Sequence, residues 1–257
     1  MPLRIRSRLR ALGILRPPAQ TGPPGNLEEN RWYWNRYAKR WTQQFRGFEA
    51  GSDSSKPAEY EFLGDEWGHP EDVTAVLDEF VYPYATSEAV VVEIGSGGGR
   101  IAARVAPRVK HLYCMDISRE MLERLKVVLE DRTNVSYIHV EDATFPPSLV
   151  AAQPDFIYSF DVFVHLDVHT MWKYIRQIGE ALKPGGTAFL HTSNLTAAEG
   201  WKRFAGQARF TLEGHYFVTP EVVRTLASHA GLTVLSEGAE APENFYKARD
   251  YLVLLRK

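Results

Sequence analysis

The sequence predicts a doubly wound α/β fold, a largely parallel sheet with helices on both faces. Two observations carry this. After Pro83 short β-branched runs alternate with helical segments, the pattern of strands joined by crossover helices. The first of those runs also ends in a glycine-rich turn that leads straight into a helical stretch.

The elements follow in order. Residues 90–94 are almost continuously apolar, as a central strand buried on both faces requires. A helix is expected over 100–108 and a second strand over 111–115. Ser118 stands where a helix over 119–129 needs a cap, and a third strand spans 135–140. A fourth strand spans 156–160, and the helix over 169–182 is stopped by Lys183, Pro184, Gly185 and Gly186 before a fifth strand at 187–191. Residues 194–217 read as an irregular aromatic insertion. A helix over 219–229 and two closing strands, 232–236 and 251–255, complete the chain.

Ahead of this core, residues 27–86 read as a helical cap, with Trp32, Trp34, Tyr37, Trp41 and Phe45 at helical spacing. Residues 1–26 read as a basic, proline-rich flexible tail. Its Arg4, Arg6, Arg8 and Arg10 alternate with apolar residues and could touch a membrane surface or an acidic partner. Pro17, Pro18, Pro23 and Pro24 detach it from anything folded, so the tail is the preferred reading. The three segments are thus 1–26, 27–86 and 87–257, with 194–217 facing the substrate.

Composition excludes several classes. A net charge of -2 gives no general attraction for nucleic acid, and none is expected as a partner. No apolar stretch approaches the ~20 residues of a membrane span. The single Cys114 can form no internal disulfide and reads as a buried strand residue, consistent with a cytoplasmic location. No His and carboxylate cluster has metal-ligand spacing, so no metal is expected.

The chemistry concentrates at strand ends. Glu93 and the turn Gly95, Ser96, Gly97, Gly98, Gly99 close the first strand, where glycines let backbone approach a ligand. Asp116, followed by Ile117, ends the second strand, placed to accept both hydroxyls of an adenosine ribose. Glu141 and Asp142 follow the third strand, in position to receive the amino group of an adenine ring.

Glu93, Gly95, Gly97 and Gly99 resemble the acidic-residue-plus-GxGxG motif of class I S-adenosylmethionine-dependent methyltransferases. Residues 155–166 resemble that family's fourth-strand motif, and Leu182 to Gly186 its LKPGG turn. The resemblance implies a Rossmann-like seven-stranded sheet ending in an antiparallel hairpin, with S-adenosylmethionine as cofactor. It assigns ribose to Asp116, adenine to Asp142 and Ala143, and a cofactor-packing role to Phe160.

A methyltransferase must align a nucleophile with the carbon–sulfur bond and exclude water. His165, just beyond the fourth strand, is the candidate general base, with Asp161 to orient it or a substrate hydroxyl, and His191 next in line. The position Ser159, Phe160, Asp161, Val162 lacks the Asn/Asp-Pro-Pro-aromatic motif of members that methylate amino groups on DNA bases or glutamine. By analogy with the family, the resemblance favours O-methylation of a small hydroxylated metabolite or sugar-like glycan unit. The aromatic helices of the cap, with Trp201, Phe204, Phe210, Tyr216 and Phe217, would line the substrate pocket unless they are core. Arg31, Arg36 and Arg40 could receive an anionic group.

Two rivals stand beside this reading. Gly97, Gly99 and Ala102 fit a GxGxxA dinucleotide fingerprint, which would make the chain an NAD-dependent oxidoreductase or epimerase. Against it, Glu93 would set a negative charge near a pyrophosphate, and the chain lacks a second lobe of adequate size for a typical dehydrogenase. The other rival is a non-catalytic nucleoside-binding protein.

Overall fold

The computed structural model describes residues 26–49, 62–65, 68–209 and 214–257, with side chains of the first segment to residue 40. The tail over 1–25, the side chains of Trp41 and Phe45, and Phe210 lie outside the described residues.

Seven strands form one sheet: β1 (Val90–Ile94), β2 (His111–Asp116), β3 (Val135–His139), β4 (Phe156–Ser159), β5 (Thr187–Ser193), β6 (Thr233–Glu237) and β7 (Asp250–Arg256). Their spatial order is β3-β2-β1-β4-β5-β7-β6, with β7 antiparallel to both neighbours and every other pairing parallel. The doubly wound sheet with its antiparallel end is the expected architecture. The chain steps outward from β1 to β3 and then crosses to β4, so a crevice opens beyond the tips of β1 and β4.

Alternating side chains divide the core into two layers. Val91, Leu112, Cys114, Phe156 and Phe189 face α2 (Pro70–Phe80), whose Val73, Val76, Leu77 and Phe80 supply the covering stripe. Pro70 opens α2 at a position that needs no N–H donor. Val92, Ile94, Met115, Ile157 and Leu190 face the opposite layer, where α6 (Val168–Ala181) and α8 (Pro220–His229) pack.

Three helices differ from expectation. The stretch over 100–108 is only α3 (Ala102–Val105) followed by a 3-10 turn, Ala106–Arg108, because Pro107 has no N–H to extend the ladder. The short α5 (Pro147–Ala151) was not foreseen, nor was α7 (Ala198–Gly206) within the region read as irregular. By contrast α4 (Arg119–Val128) begins as expected, with Ser118 Oγ accepting the Met121 N–H at 3.1 Å.

Helix α1 (Asn26–Glu49) lies across α4 and over the crevice. It is held there by hydrogen bonds from its polar face. Nδ2 of both Asn26 and Asn30 donates to the His165 carbonyl at 3.1 Å, and the Asp167 N–H donates to Asn26 Oδ1. Farther along, Asn35 Oδ1 accepts from the Ser118 hydroxyl, and Arg124 donates to the Ala38 carbonyl.

Candidate functional site

The crevice at the tips of β1, β2 and β4 is a cavity walled by Glu93, Gly95, Gly97, Asp116, Phe160 and Asp161. Ser96, Ile117 and His165 also line it, while Leu27, Asn30 and Trp34 of α1 cover it. The expected site residues Gly99, Asp142 and Ala143 are not in that lining. Gly99 instead makes room for α4, since a Cβ there would meet Leu125 at 2.9 Å. Asp142 is exposed and accepts the Thr144 N–H, and the Ala143 carbonyl accepts from Gln177.

The glycine turn does local work at two positions. Gly95 has φ +74, and a Cβ there would collide with Val162. Gly97, at φ +52, has open space where a Cβ would stand, which leaves room for a ligand beside the backbone. Its N–H donates to Asp116 Oδ2 at 2.8 Å, and the Ser118 N–H donates to Oδ1 at 2.7 Å. Those bonds fix the Asp116 carboxylate in the crevice wall. Burial nonetheless raises its pKa to about 6, as the backbone donors only partly offset desolvation.

Glu93 is only 3% exposed, and its Oε2 has no hydrogen-bond partner among the described residues. Burial lifts its pKa to about 8, the hydroxyls of Ser96 and Tyr158 offset part of that, and the neighbouring Asp116 adds to it. A buried carboxylate oxygen without a partner, facing a cavity, is a site for a cationic donor. Such an oxygen favours a cationic group over an anionic one such as a pyrophosphate.

Asp161 sits at the bottom of the crevice with φ 57, a left-handed conformation that costs a non-glycine residue about 1–3 kcal/mol. It is held by an ion pair to Arg100, by the Tyr246 hydroxyl at 3.2 Å and by its own N–H donated to His191 Nδ1. Burial alone would raise its pKa. Arg100, with His191 and Arg249, holds it below the ordinary value. Arg100 is the residue that sequence reasoning missed: it follows the last glycine directly, where it was read as the start of a helix.

Two histidines differ in availability. His191 is fully buried, its Nδ1 accepting from Asp161 and its Nε2 set 3.0 Å from Asp250, so both ring nitrogens are engaged and it has no lone pair to offer. His165 Nδ1 lies 3.1 Å from the Gly214 carbonyl, which can only accept, so the proton is on Nδ1 and Nε2 carries the lone pair. Burial lowers the His165 pKa to about 4, against the attraction of Asp161.

A second cavity, about 500 Å³, adjoins the first and shares Trp34, Asp161 and His165 with it. Tyr33, Tyr37 and Phe245 supply its aromatic wall, and Arg203, His215 and Arg249 its polar one. Of the cap aromatics expected to line a substrate pocket, Trp34 and Tyr37 border this cavity, while Trp32 is exposed. Trp201 and Phe204 are 56% and 41% exposed, their rings in tilted contact outside this lining. Arg31 is also elsewhere, donating to the Glu141 carbonyl at 3.0 Å, while Arg36 stacks on Trp32.

A crevice at the switch point of a doubly wound sheet, with paired carboxylates at successive strand tips, defines a nucleoside-cofactor enzyme of the α/β class. Residues 68–237 match the methyltransferase domain family. The chain belongs to that family, within the class I S-adenosylmethionine-dependent methyltransferases, and this removes the dinucleotide alternative. No curated protein sequence gives a significant match.

Solved structures share the fold. Magnesium protoporphyrin IX methyltransferase from Synechocystis PCC 6803, with bound S-adenosylmethionine, is 12% identical at a TM-score of 0.62, covering 93% of this chain and 100% of its own. N-methyltransferase NodS from Bradyrhizobium japonicum WM9, with S-adenosyl-L-homocysteine, is 18% identical at 0.58, covering 89% and 98%. The CcbJ methyltransferase from Streptomyces caelestis is 20% identical at 0.55, covering 76% and 93%.

Proposed function

We propose that the chain transfers a methyl group from S-adenosylmethionine to a hydroxyl of a small metabolite or sugar-like unit bound in the second cavity. The observation that carries this is the shared wall: His165 and Asp161 border both the cofactor crevice and the adjoining cavity. A cavity of about 500 Å³ suits a small molecule rather than a macromolecular chain.

S-adenosylmethionine supplies a methyl group activated by its sulfonium. Asp116 accepts the ribose hydroxyls, Glu93 Oε2 accepts from the amino group, and Gly95 and Gly97 let the amino acid tail approach the backbone. Phe160 packs at the cavity floor between Arg100 and Tyr246.

His165 is unprotonated at neutral pH, so its Nε2 could take the acceptor proton as the new carbon–oxygen bond forms and the carbon–sulfur bond breaks, its electron pair leaving with the sulfur as a neutral thioether. Asp161 stabilises the resulting imidazolium, and Arg100 keeps Asp161 ionised for that purpose. Aromatic walls and α1 exclude water from the reacting atoms.

The test is turnover with labelled S-adenosylmethionine against a panel of small hydroxylated acceptors, comparing wild type with His165→Gln. The expected loss is about 100-fold or more in kcat, with S-adenosylhomocysteine affinity unchanged. Undiminished turnover removes His165 from the mechanism, and a methylated nitrogen in the product overturns O-methylation.

A further inference from the structure

We infer that the acceptor carries an anionic group, a carboxylate or a phosphoryl, which Arg203 and Arg249 bind at the end of the second cavity away from the cofactor. This deepens the methyltransferase reading and rests on it.

The cationic end is assembled from distant parts of the chain. Gly200 lets α7 lie against the loop that precedes β7, since a Cβ there would collide with the Asn194 carbonyl and come within 2.8 Å of the Arg249 carbonyl. Arg203, three residues on and on the same helix face, is thereby set beside Arg249 in the cavity wall.

The two guanidinium groups are not neutralised alike. Arg249 spends its Nε and one terminal nitrogen on the buried Asp250 and stacks over Phe245 at 4.2 Å. Arg203 forms no ion pair and no hydrogen bond with a described residue. Arg203 is partly open to solvent; its partial burial, with Arg249 alongside, lowers its pKa, and Asp250 and Asp161 offset part of that.

The carboxylates nearby cannot supply it, because Asp161 is committed to Arg100 and Asp250 to Arg249 and His191. His215 adds a third group. It is 5% exposed, its Nδ1 has no hydrogen-bond partner among the described residues, and it lies 3.8 Å from Asp250 Oδ1. An anion with two or three acceptor oxygens satisfies Arg203, the free edge of Arg249 and His215 together. Tyr33, Trp34, Tyr37 and Phe245 would then hold the apolar or ring portion, which points the hydroxyl end towards His165.

The test is calorimetric titration of the full chain, saturated with S-adenosylhomocysteine, with phenyl phosphate, benzoate and uncharged benzamide. At least one anion is expected to bind about tenfold or more tightly than benzamide, and Arg203→Gln to abolish that preference. Phenyl phosphate ahead of benzoate assigns a phosphoryl group, and the reverse a carboxylate. Arg203→Gln is expected to bind S-adenosylhomocysteine as wild type does, which shows that it is folded.

Equal binding of anions and benzamide, or a preference that survives Arg203→Gln, overturns the inference. Failure of S-adenosylhomocysteine itself to bind wild type would instead strike the methyltransferase reading.

Discussion

The two cavities that meet at His165 are built in opposite ways. The cofactor crevice is framed by neighbouring strand tips, and its polar groups, Glu93, Gly97 and Asp116, come from consecutive units of one sheet. The acceptor cavity is framed by helices and loops, with Tyr33, Arg203, His215 and Arg249 brought from separate parts of the chain. The first is therefore set by the architecture that the whole class shares. The second can change its lining without disturbing the sheet, and on the proposed function it would carry the selectivity for the acceptor.

Mutations can break this contrast. The largest effect is expected from Asp116→Ala, which removes the ribose partner and the acceptor for the Gly97 and Ser118 N–H groups. S-adenosylhomocysteine affinity should fall about 100-fold or more, read by calorimetry. Anion binding in the acceptor cavity should change far less, and equal losses at both sites would dissolve the distinction.

Glu93→Gln should have a smaller effect with a diagnostic pH dependence. With a pKa raised to about 8, Glu93 is mostly protonated in the free protein at pH 7, whereas a cationic amino group binds the carboxylate. Cofactor affinity should rise with pH through about 8, with proton uptake by buffer on binding. In Glu93→Gln that slope should vanish and affinity at pH 9 should drop about tenfold. The same group has a stability signature: its raised folded-state pKa favours the unliganded fold below pH 4.5, an advantage lost as pH rises through about 8. Glu93→Gln should melt higher than wild type at pH 9, measured without cofactor.

The smallest effect is expected at the boundary between the cavities. Asn30 is buried, donates to the carbonyls of Asn26 and His165 and accepts from Trp34 Nε1. Asn30→Ala should speed amide exchange in α1 about tenfold while leaving β1, β4 and β5 protected. Uniform acceleration through the sheet would mean that α1 is integral to the core rather than laid over it.

How far each region was legible follows from the same contrast. The Gly95–Gly97 turn, Asp116 and the run from β1 to β5 could be read because local rules, periodicity and strand-end chemistry, determine them. Gly99 showed the limit of motif reading, since the same pattern serves ligand approach at Gly97 and helix packing at Gly99. Helix α7 was hidden because no side chain caps its start and its aromatic residues lack a covered stripe. Arg203, His215 and Arg249 carry no signal in sequence, as nothing local relates α7, the segment after it and the approach to β7. Arg100 was legible in position but not in role, which depends on the left-handed turn at Asp161 across the sheet.

Helix α1 walls both cavities through Trp34, and its two asparagines are fastened to the carbonyl of His165 itself. If ligand binding orders that helix further, whichever guest arrives first spares the second that entropy. Donor and acceptor should each tighten the other's binding by the same factor, without any contact between the two guests beyond the transferred carbon.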